Sequence, residues 1–470
     1  MHPALLFPSR AARALCVAAT AAVLTACSVA PVYQPPAIPM PAAFKEAGAT
    51  WLPAAPADAL ARGDWWTLFA DEELNRLAAQ VQLSNQNIAA AVAAYAQAQA
   101  LVREQRAAGV PALGLTGGAS RTGGEGSARS GTATQLALEA SWAPDVWGRL
   151  GSVVDSATAN AQASAADLAS ARLSAVGALV AAYFQLRAAD AEIGLLQTTL
   201  EGYERSVQIV QNRYSAGVVA KTDLLQAQAQ VLTTRADLAT AQQNRARFEH
   251  AVAVLTGVAP ANFALAPAPW QAQVPQVPAG IPSTLLQRRP DIAAAERAVA
   301  AANAQMGVQR AAYFPSLSLS ASLGTGGSGL GDLLRASTSV WSLGLSVAQT
   351  LFDAGATTAR VQGAQAAYEG RVAAYRQTVL AAFQDVEDQL TVLATLAAQA
   401  PLRQEALLAA QRIAQQQLNR YRAGQVGYTE VVTAQAAALG AERALLQLQL
   451  NRQLAAAALV QALGGGWQGL

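Results

Sequence analysis

A segment of roughly two hundred residues occurs twice in this chain, a period too long for a solenoid unit and suited to a duplicated domain. Gln105-Arg106-Ala107-Ala108 aligns with Gln309-Arg310-Ala311-Ala312, and in the same register Ile88 aligns with Ile292. Further on, Arg213-Tyr214-Ser215-Ala216-Gly217 aligns with Arg420-Tyr421-Arg422-Ala423-Gly424. Thr222-Asp223 then meets Thr429-Glu430, and Asn244-Arg245 meets Asn451-Arg452. Each copy has the same predicted order: helix, two strands, long helix, turn, helix. A duplicated order of this kind builds pseudo-twofold wall segments.

The strands carry the next constraint. Trp341, Leu343, Leu345, Val347 and Leu351 alternate with Ser342, Gly344, Ser346, Ala348 and Thr350. Leu317, Leu319, Ala321 and Leu323 alternate with serines, and Leu136, Leu138, Ala140 and Trp142 with Gln135, Ala137, Glu139 and Ser141. A weaker, glycine-rich fourth segment runs over 113–121. Period-two patterning with one apolar face predicts half-buried strands. Each is about ten residues, the length a tilted strand needs to cross a bilayer. Trp142, Trp147, Tyr313, Phe314, Trp341 and Phe352 cluster near the strand ends, as interfacial girdles do. The glycine- and serine-rich loops 122–132 and 324–337 are expected to be exposed tips. A small soluble sandwich is the alternative reading of the same alternation. Four strands cannot close a transmembrane barrel, which starts at about eight, and open edges cannot face lipid. The chain must therefore share its barrel with copies of itself, eight strands in a dimer or twelve in a trimer.

The helices are long and poor in large aliphatics. Alanine makes up about a quarter of the chain, which favours helices and close backbone approach. From about residue 151 the pattern runs to 214 without proline, on the order of 90–100 Å of helix. A return helix is predicted over 219–256, and Asp71, Glu72 and Glu73 favour the start of the first helix through its dipole. Proline-rich stretches at 31–56 and 260–282 cannot join these helices and are placed outside the wall, as a strap and a belt. No continuous apolar run of about 18 residues lies beyond the N-terminus, so a helical multi-span protein is excluded.

The N-terminus reads as a removable export signal: Arg10 and Arg13, an apolar stretch over 14–24, then Leu24-Thr25-Ala26-Cys27. That ending resembles a bacterial lipobox, which implies a covalent N-acyl and S-diacylglycerol lipid on Cys27 as first mature residue. Ser28 after it is compatible with outer-membrane sorting. Cleavage would leave 30 basic and 30 acidic side chains, from the 32 and 30 of the whole chain, so bulk charge gives a nucleic-acid partner no support.

Five motifs carry a wider resemblance. They are Leu83-Ser84-Asn85-Gln86-Asn87-Ile88, the Trp142–Arg149 run Trp-Ala-Pro-Asp-Val-Trp-Gly-Arg, Arg288-Arg289-Pro290-Asp291-Ile292 followed by Ala295-Glu296, Leu351-Phe352-Asp353-Ala354-Gly355, and Trp65-Trp66-Thr67-Leu68-Phe69. With them the chain resembles the outer-membrane efflux factor family, the TolC-like and especially OprM-like lipoproteins, from residue 65 to about 463. Read without the family, the Arg288–Ile292 motif is a helix start, with Pro290 in the first turn and Asp291 favourable to the dipole.

The resemblance implies a fold that is mainly α with a small membrane β-barrel: a trimeric 12-stranded outer-membrane barrel continuous with a 12-helix periplasmic α-barrel. It implies an exit duct for drugs or other small toxic compounds. Its expected partners are two further copies, a periplasmic adaptor, an inner-membrane RND-type transporter and outer-membrane lipid. The expected organisation is a signal over 1–26, an acylated strap over 27–64, a first repeat over 65–257, a linker over 258–284, a second repeat over 285–464 and a tail over 465–470. In relatives, tyrosine, arginine and acidic residues tie the tunnel tip shut. The matching positions are Tyr214, Asp223, Tyr421 and Glu430, with Arg213 and Arg420 beside them. The family often has an aspartate one turn beyond Glu430; here the run is Val432-Thr433-Ala434-Gln435, so one acidic ring is missing. Arg213 and Arg420 also fit simple compensation of helix C-termini.

Other readings have less behind them. For an enzyme, His250 beside Glu249 is the one histidine after the signal, and no nucleophile elbow, phosphate loop or paired-carboxylate motif accompanies it. Two histidines and two cysteines are too few for a histidine- or thiolate-rich metal site, and no cofactor beyond the lipid is expected. A passive envelope spacer would not need strands with girdles. Within the family, metal efflux and type I secretion compete with drug efflux; Met40 and Met306 alone follow the signal, too few for a methionine-lined copper path.

Overall fold

A computed structural model of the chain describes residues 29–39, 41, 44, 45, 63–123, 131–275, 288–329, 331 and 339–465. The proposed signal, Cys27 and much of the two hairpin loops lie outside the described residues.

The first repeat contains α1 (Glu72–Ser84), α2 (Gln86–Ala107), β1 (Ala112–Thr122), β2 (Gly131–Trp142), α3 (Arg149–Ser215) and α4 (Lys221–Leu255). The second contains α5 (Pro290–Arg310), β3 (Ser316–Gly327), β4 (Ser339–Ala348), α6 (Ala356–Arg422) and α7 (Tyr428–Ala462). The duplication shows in the lengths: α3 and α6 are each 67 residues, and α4 and α7 each 35. At about 1.5 Å per residue the long pair would each extend about 100 Å. Pro401 sits inside α6. The carbonyl it leaves free belongs to Ala397, which is exposed and so open to water. An 18-residue stretch of α3 is apolar enough on average to cross a membrane. Its longest unbroken apolar run, residues 175–184, is too short to span a bilayer; alanine and valine raise the average around it.

The chain divides into two compact units. One comprises residues 1–38, 93–165 and 294–377 and holds all four strands. They form one antiparallel sheet in the order β1-β2-β3-β4, and the central β2–β3 pairing joins the two repeats. Strand-to-helix turns follow. Gly148 and Gly355 adopt φ of 76° and 90°, left-handed values that glycine takes without Cβ strain. Beside each, an aspartate caps the coming helix: Asp145 accepts from the Gly151 N–H at 2.6 Å and Asp353 from the Thr357 N–H at 2.7 Å. Trp147 stacks on Phe314 at 4.9 Å and donates Nε1–H to the Pro315 carbonyl.

Residues 29–38 lie against α5 in this unit. The Val29 N–H donates to the Trp147 carbonyl, and Asn303 Nδ2 donates to that of Pro31 at 2.9 Å. The Tyr33 hydroxyl donates to the Glu296 carboxylate, and burial first, then that bond, pushes the phenol well above its usual range. A Cβ on Gly307 would fall 2.8 Å from that of Ala30, so only glycine lets the strap approach.

The other unit comprises 39–92, 166–293 and 378–470. Its core is denser than the sparse leucine pattern suggested: Trp65, Trp66 and Phe69 pack with Leu74, Leu77 and Val81 of α1 and with Leu179, Tyr183, Phe184 and Leu186 of α3. Asp71 caps α1 by accepting from the Leu74 N–H, and its other oxygen accepts from the buried Tyr183 hydroxyl at 2.7 Å. Residues 263–273 of the proline-rich linker are pinned into this core. Arg187 donates to the Ala266 carbonyl, Arg245 to that of Leu265, and Gln453 to those of Gln271 and Gln273. Arg187 and Arg245 share the Asp190 carboxylate, and Arg245 pairs also with Glu249.

The Leu83–Ile88 and Arg288–Ile292 motifs occupy equivalent places and do one job with different chemistry. Asn85 caps α2 through the Asn87 and Ile88 N–H groups and donates to the Leu255 carbonyl at the end of α4. Arg289, before α5, donates to the matching carbonyl of Ala462 at the end of α7 and pairs with Asp291 and Asp385.

Candidate functional site: a two-faced sheet and a paired helix tip

The strand register sorts the sheet into two faces. Leu113 is opposite Ala140, Leu115 opposite Leu138, Leu138 opposite Leu323, Leu323 opposite Trp341, Ala321 opposite Leu343 and Leu319 opposite Leu345. One face is therefore continuous hydrocarbon across all four strands, and in the single chain it is uncovered: Leu113, Leu343 and Trp341 are each more than 70% exposed. A soluble sandwich would bury this face, so that alternative fails. The other face is mostly serine, glycine, threonine and alanine, with Gln135, Glu139 and Val340 among them. Two details differ from expectation. β3 continues to Gly327, beyond the predicted loop start at 324, and β4 ends at Ala348, which leaves Leu351 and Thr350 outside the strand. Glycines carry no side chain to report a face, so alternation could not mark the first boundary.

The second site is where the long helices turn. α3 and α6 end in the same way. Gly217 and Gly424 both have φ of 71°. The Gly217 and Val218 N–H groups return to the carbonyls of Tyr214 and Arg213, and those of Gly424 and Gln425 to Tyr421 and Arg420, all at 2.9 Å. These paired bonds satisfy the orphan carbonyls of a helix C-terminus. Asp223 and Glu430 lie in the first turns of α4 and α7, where the dipole favours negative charge.

Beyond that, the duplicated positions part company. Tyr421 is buried within a cluster of Val210, Leu224, Ala227, Tyr428 and Val431, whereas Tyr214 is exposed. Arg213 Nη1 donates to the Tyr421 carbonyl at 3.0 Å, and its guanidinium lies 4.7 Å from the Tyr421 ring centroid. Arg420 is exposed and, among the described residues, donates to Gln417, within its own helix, at 3.5 Å. Tyr421 and Tyr428 meet edge to face at 5.1 Å. Burial pushes the Tyr428 phenol up to about 12, against a lowering hydrogen bond with Ser206, and burial also raises Tyr421. The Tyr421 hydroxyl has no hydrogen-bond partner among the described residues. An unmet buried hydroxyl costs about 1–3 kcal/mol, which keeps this packing near the weak end of the fold. Glu430 is exposed, and within one chain the cation at the tip sits on an aromatic ring and a carbonyl rather than on Asp223 or Glu430. Sequence reasoning missed Tyr428 and Ser206 because the first repeat has Lys221 where the second has Tyr428. As for His250, it is exposed, while Glu249 accepts from the Leu265 N–H at 2.7 Å and pairs with Arg245.

The model of the family described as outer membrane efflux protein matches residues 77–258 and 281–465. The chain belongs to the outer membrane efflux protein family. It is 31% identical over 454 residues to the cation efflux system protein CusC of Escherichia coli, covering 95% of this chain and 97% of CusC. It is 32% identical over 464 residues to the probable efflux pump outer membrane protein TtgC of Pseudomonas putida, covering 96% and 95%. Among solved structures, the outer-membrane channel OprN superposes with a TM-score of 0.85 at 30% identity, covering 94% of this chain and all of that one. The fold is TolC-like and the protein belongs to the outer membrane, extending into the periplasm. The family model and the OprN structure are described as an efflux protein and a channel.

Proposed function

We propose that the protein is the exit duct of a tripartite efflux pump, a homotrimer that passes drugs and other small toxic organic compounds from an inner-membrane RND-type transporter, through a periplasmic adaptor, to the exterior. One observation carries the reading: a four-stranded sheet with a bare hydrocarbon face, a small polar face and two edges, β1 and β4, that lack partners among the described residues. In lipid such edges must close on other strands, and three copies give twelve. The polar face then lines an aqueous lumen. Cys27 carries the N-acyl and S-diacylglycerol lipid.

The similarity to CusC favours a second reading, cation efflux. Organic cargo is preferred because the polar face offers hydroxyls, backbone, an amide and one carboxylate per chain rather than soft ligands, and Met306 is buried. Purified protein in planar bilayers tests the duct, with native mass measurement in detergent for the trimer. Discrete conductance steps from a trimer are expected; a stable, non-conducting monomer would refute the reading. A deletion strain should accumulate organic dyes and regain export on complementation. Restored copper or silver tolerance without dye export would favour the cation reading.

A further inference from the structure

Among the described strand residues, the polar face of the sheet carries a single ionisable side chain. The register places Ala112, Gly114, Thr116, Gly118, Ser120 and Thr122 of β1 on that face together with the odd-numbered residues of β2, and there Glu139 stands among Ala133, Gln135, Ala137 and Ser141. β3 contributes four serines and two glycines, and β4 contributes Val340, Ser342, Gly344, Ser346 and Ala348. Glu139 is exposed and lies directly opposite Gly114 on one side and Ser322 on the other. Neither neighbour is large enough to cover a carboxylate. Its Oε1 accepts from the Thr116 hydroxyl at 3.2 Å, a bond that holds the side chain to the wall without neutralising it.

We propose that Glu139 makes the barrel lumen itself selective for cations, one carboxylate per copy, as a second filter besides the helix tip. The inference rests on the trimeric duct reading. Twelve strands about 4.8 Å apart and tilted about 40° close a circle of roughly 12 Å backbone radius. A glutamate reaching inward then holds its charge about 8 Å from the axis, where no cationic side chain of the described strand residues on that face opposes it. In water, three such charges enrich a monovalent cation on the axis roughly sevenfold at about 0.01 M salt, where the screening length is about 30 Å. The enrichment falls to between two- and threefold at about 0.15 M and almost vanishes at about 1 M. The salt dependence is the signature of a wide ring, because a narrow aperture with desolvated carboxylates would stay selective at high salt.

The experiment uses the full-length trimer in planar bilayers under a potassium chloride gradient, with Asp223→Ala and Glu430→Ala present throughout so that the tip contributes no acidic charge. Reversal potentials are compared for Glu139, Glu139→Gln and Glu139→Lys in that background, at about 0.01 M and about 1 M on the dilute side. The expected result is cation preference at low salt that is lost in Glu139→Gln, inverted in Glu139→Lys and small for all three at high salt. Conductance at high salt should be unchanged in Glu139→Gln, which shows that the barrel still forms. A conducting channel whose low-salt reversal potential is the same in all three overturns the inference and leaves the duct reading standing. A parent protein that never conducts overturns both.

Discussion

Replacing Arg213 by alanine should loosen the helix tip, and replacing Arg420, its duplicate, should not. Arg213 makes a charge-assisted hydrogen bond to the Tyr421 carbonyl at 3.0 Å, close to the C-terminus of α6, and lies over the Tyr421 ring. Hydrogen bonds to charged groups contribute about 1.5–3 kcal/mol and a cation over an aromatic face about 0.5–1 kcal/mol at partly exposed sites. Arg213 is only half-buried, so solvent screening brings the sum down to about 2 kcal/mol. That is roughly a thirtyfold rise in the population of the locally opened tip. The assay is amide hydrogen exchange read by mass spectrometry on peptides covering 418–430. Arg213→Ala should speed exchange there by about thirtyfold, and Arg213→Lys should be intermediate because it keeps the charge but not the flat stack. Among the described residues Arg420→Ala removes the contact with Gln417, within the same helix, and it should stay within about twofold of the parent. Equal acceleration by Arg213→Ala and Arg420→Ala would refute the reasoning. It would mean that neutralising helix ends, not the Arg213–Tyr421 contact, holds the tip.

Three further outcomes are expected. Gly257→Ala should lower the thermal midpoint followed by circular dichroism far more than Gly217→Ala: both glycines have φ above 70°, but a Cβ on Gly257 would fall 2.4 Å from the Ser84 carbonyl oxygen while Gly217 faces open space. The shared strain costs about 1–2 kcal/mol and the clash adds to it. Tyr428 keeps its proton more tightly folded than unfolded, so its stabilising contribution is complete below pH 10.0 and is lost as pH rises towards about 12. Midpoints measured across that window should fall less steeply in Tyr428→Phe. Finally, Cys27→Ser should abolish metabolic labelling with palmitate, and unchanged labelling would remove the lipid from the account.

What the chain's own pattern determined is local or repeated. Alternation located all four strands because side-chain parity is set by the pleat, whatever the partner strand. Long proline-free alanine stretches located α3 and α4, because propensity and hydrogen bonding act within a few residues. The first copy's motifs predicted the second's. That four strands are too few to close a transmembrane barrel was legible as well. The tertiary structure decided what depends on which neighbour lies across. Asn85 and Arg289 sit at aligned positions, yet the carbonyls of Leu255 and Ala462 that they serve belong to helices about 170 residues away along the chain. The core around Tyr183 gathers three short apolar runs, none of which forms a long stripe. At the tip, Tyr214 and Tyr421 are identical in local sequence role, and only packing made one exposed and the other buried. Burial is a property of pairs of elements: Tyr428 fills the space beside Tyr421, and Lys221, at the corresponding place in the first repeat, cannot lose its hydration cheaply enough to do the same.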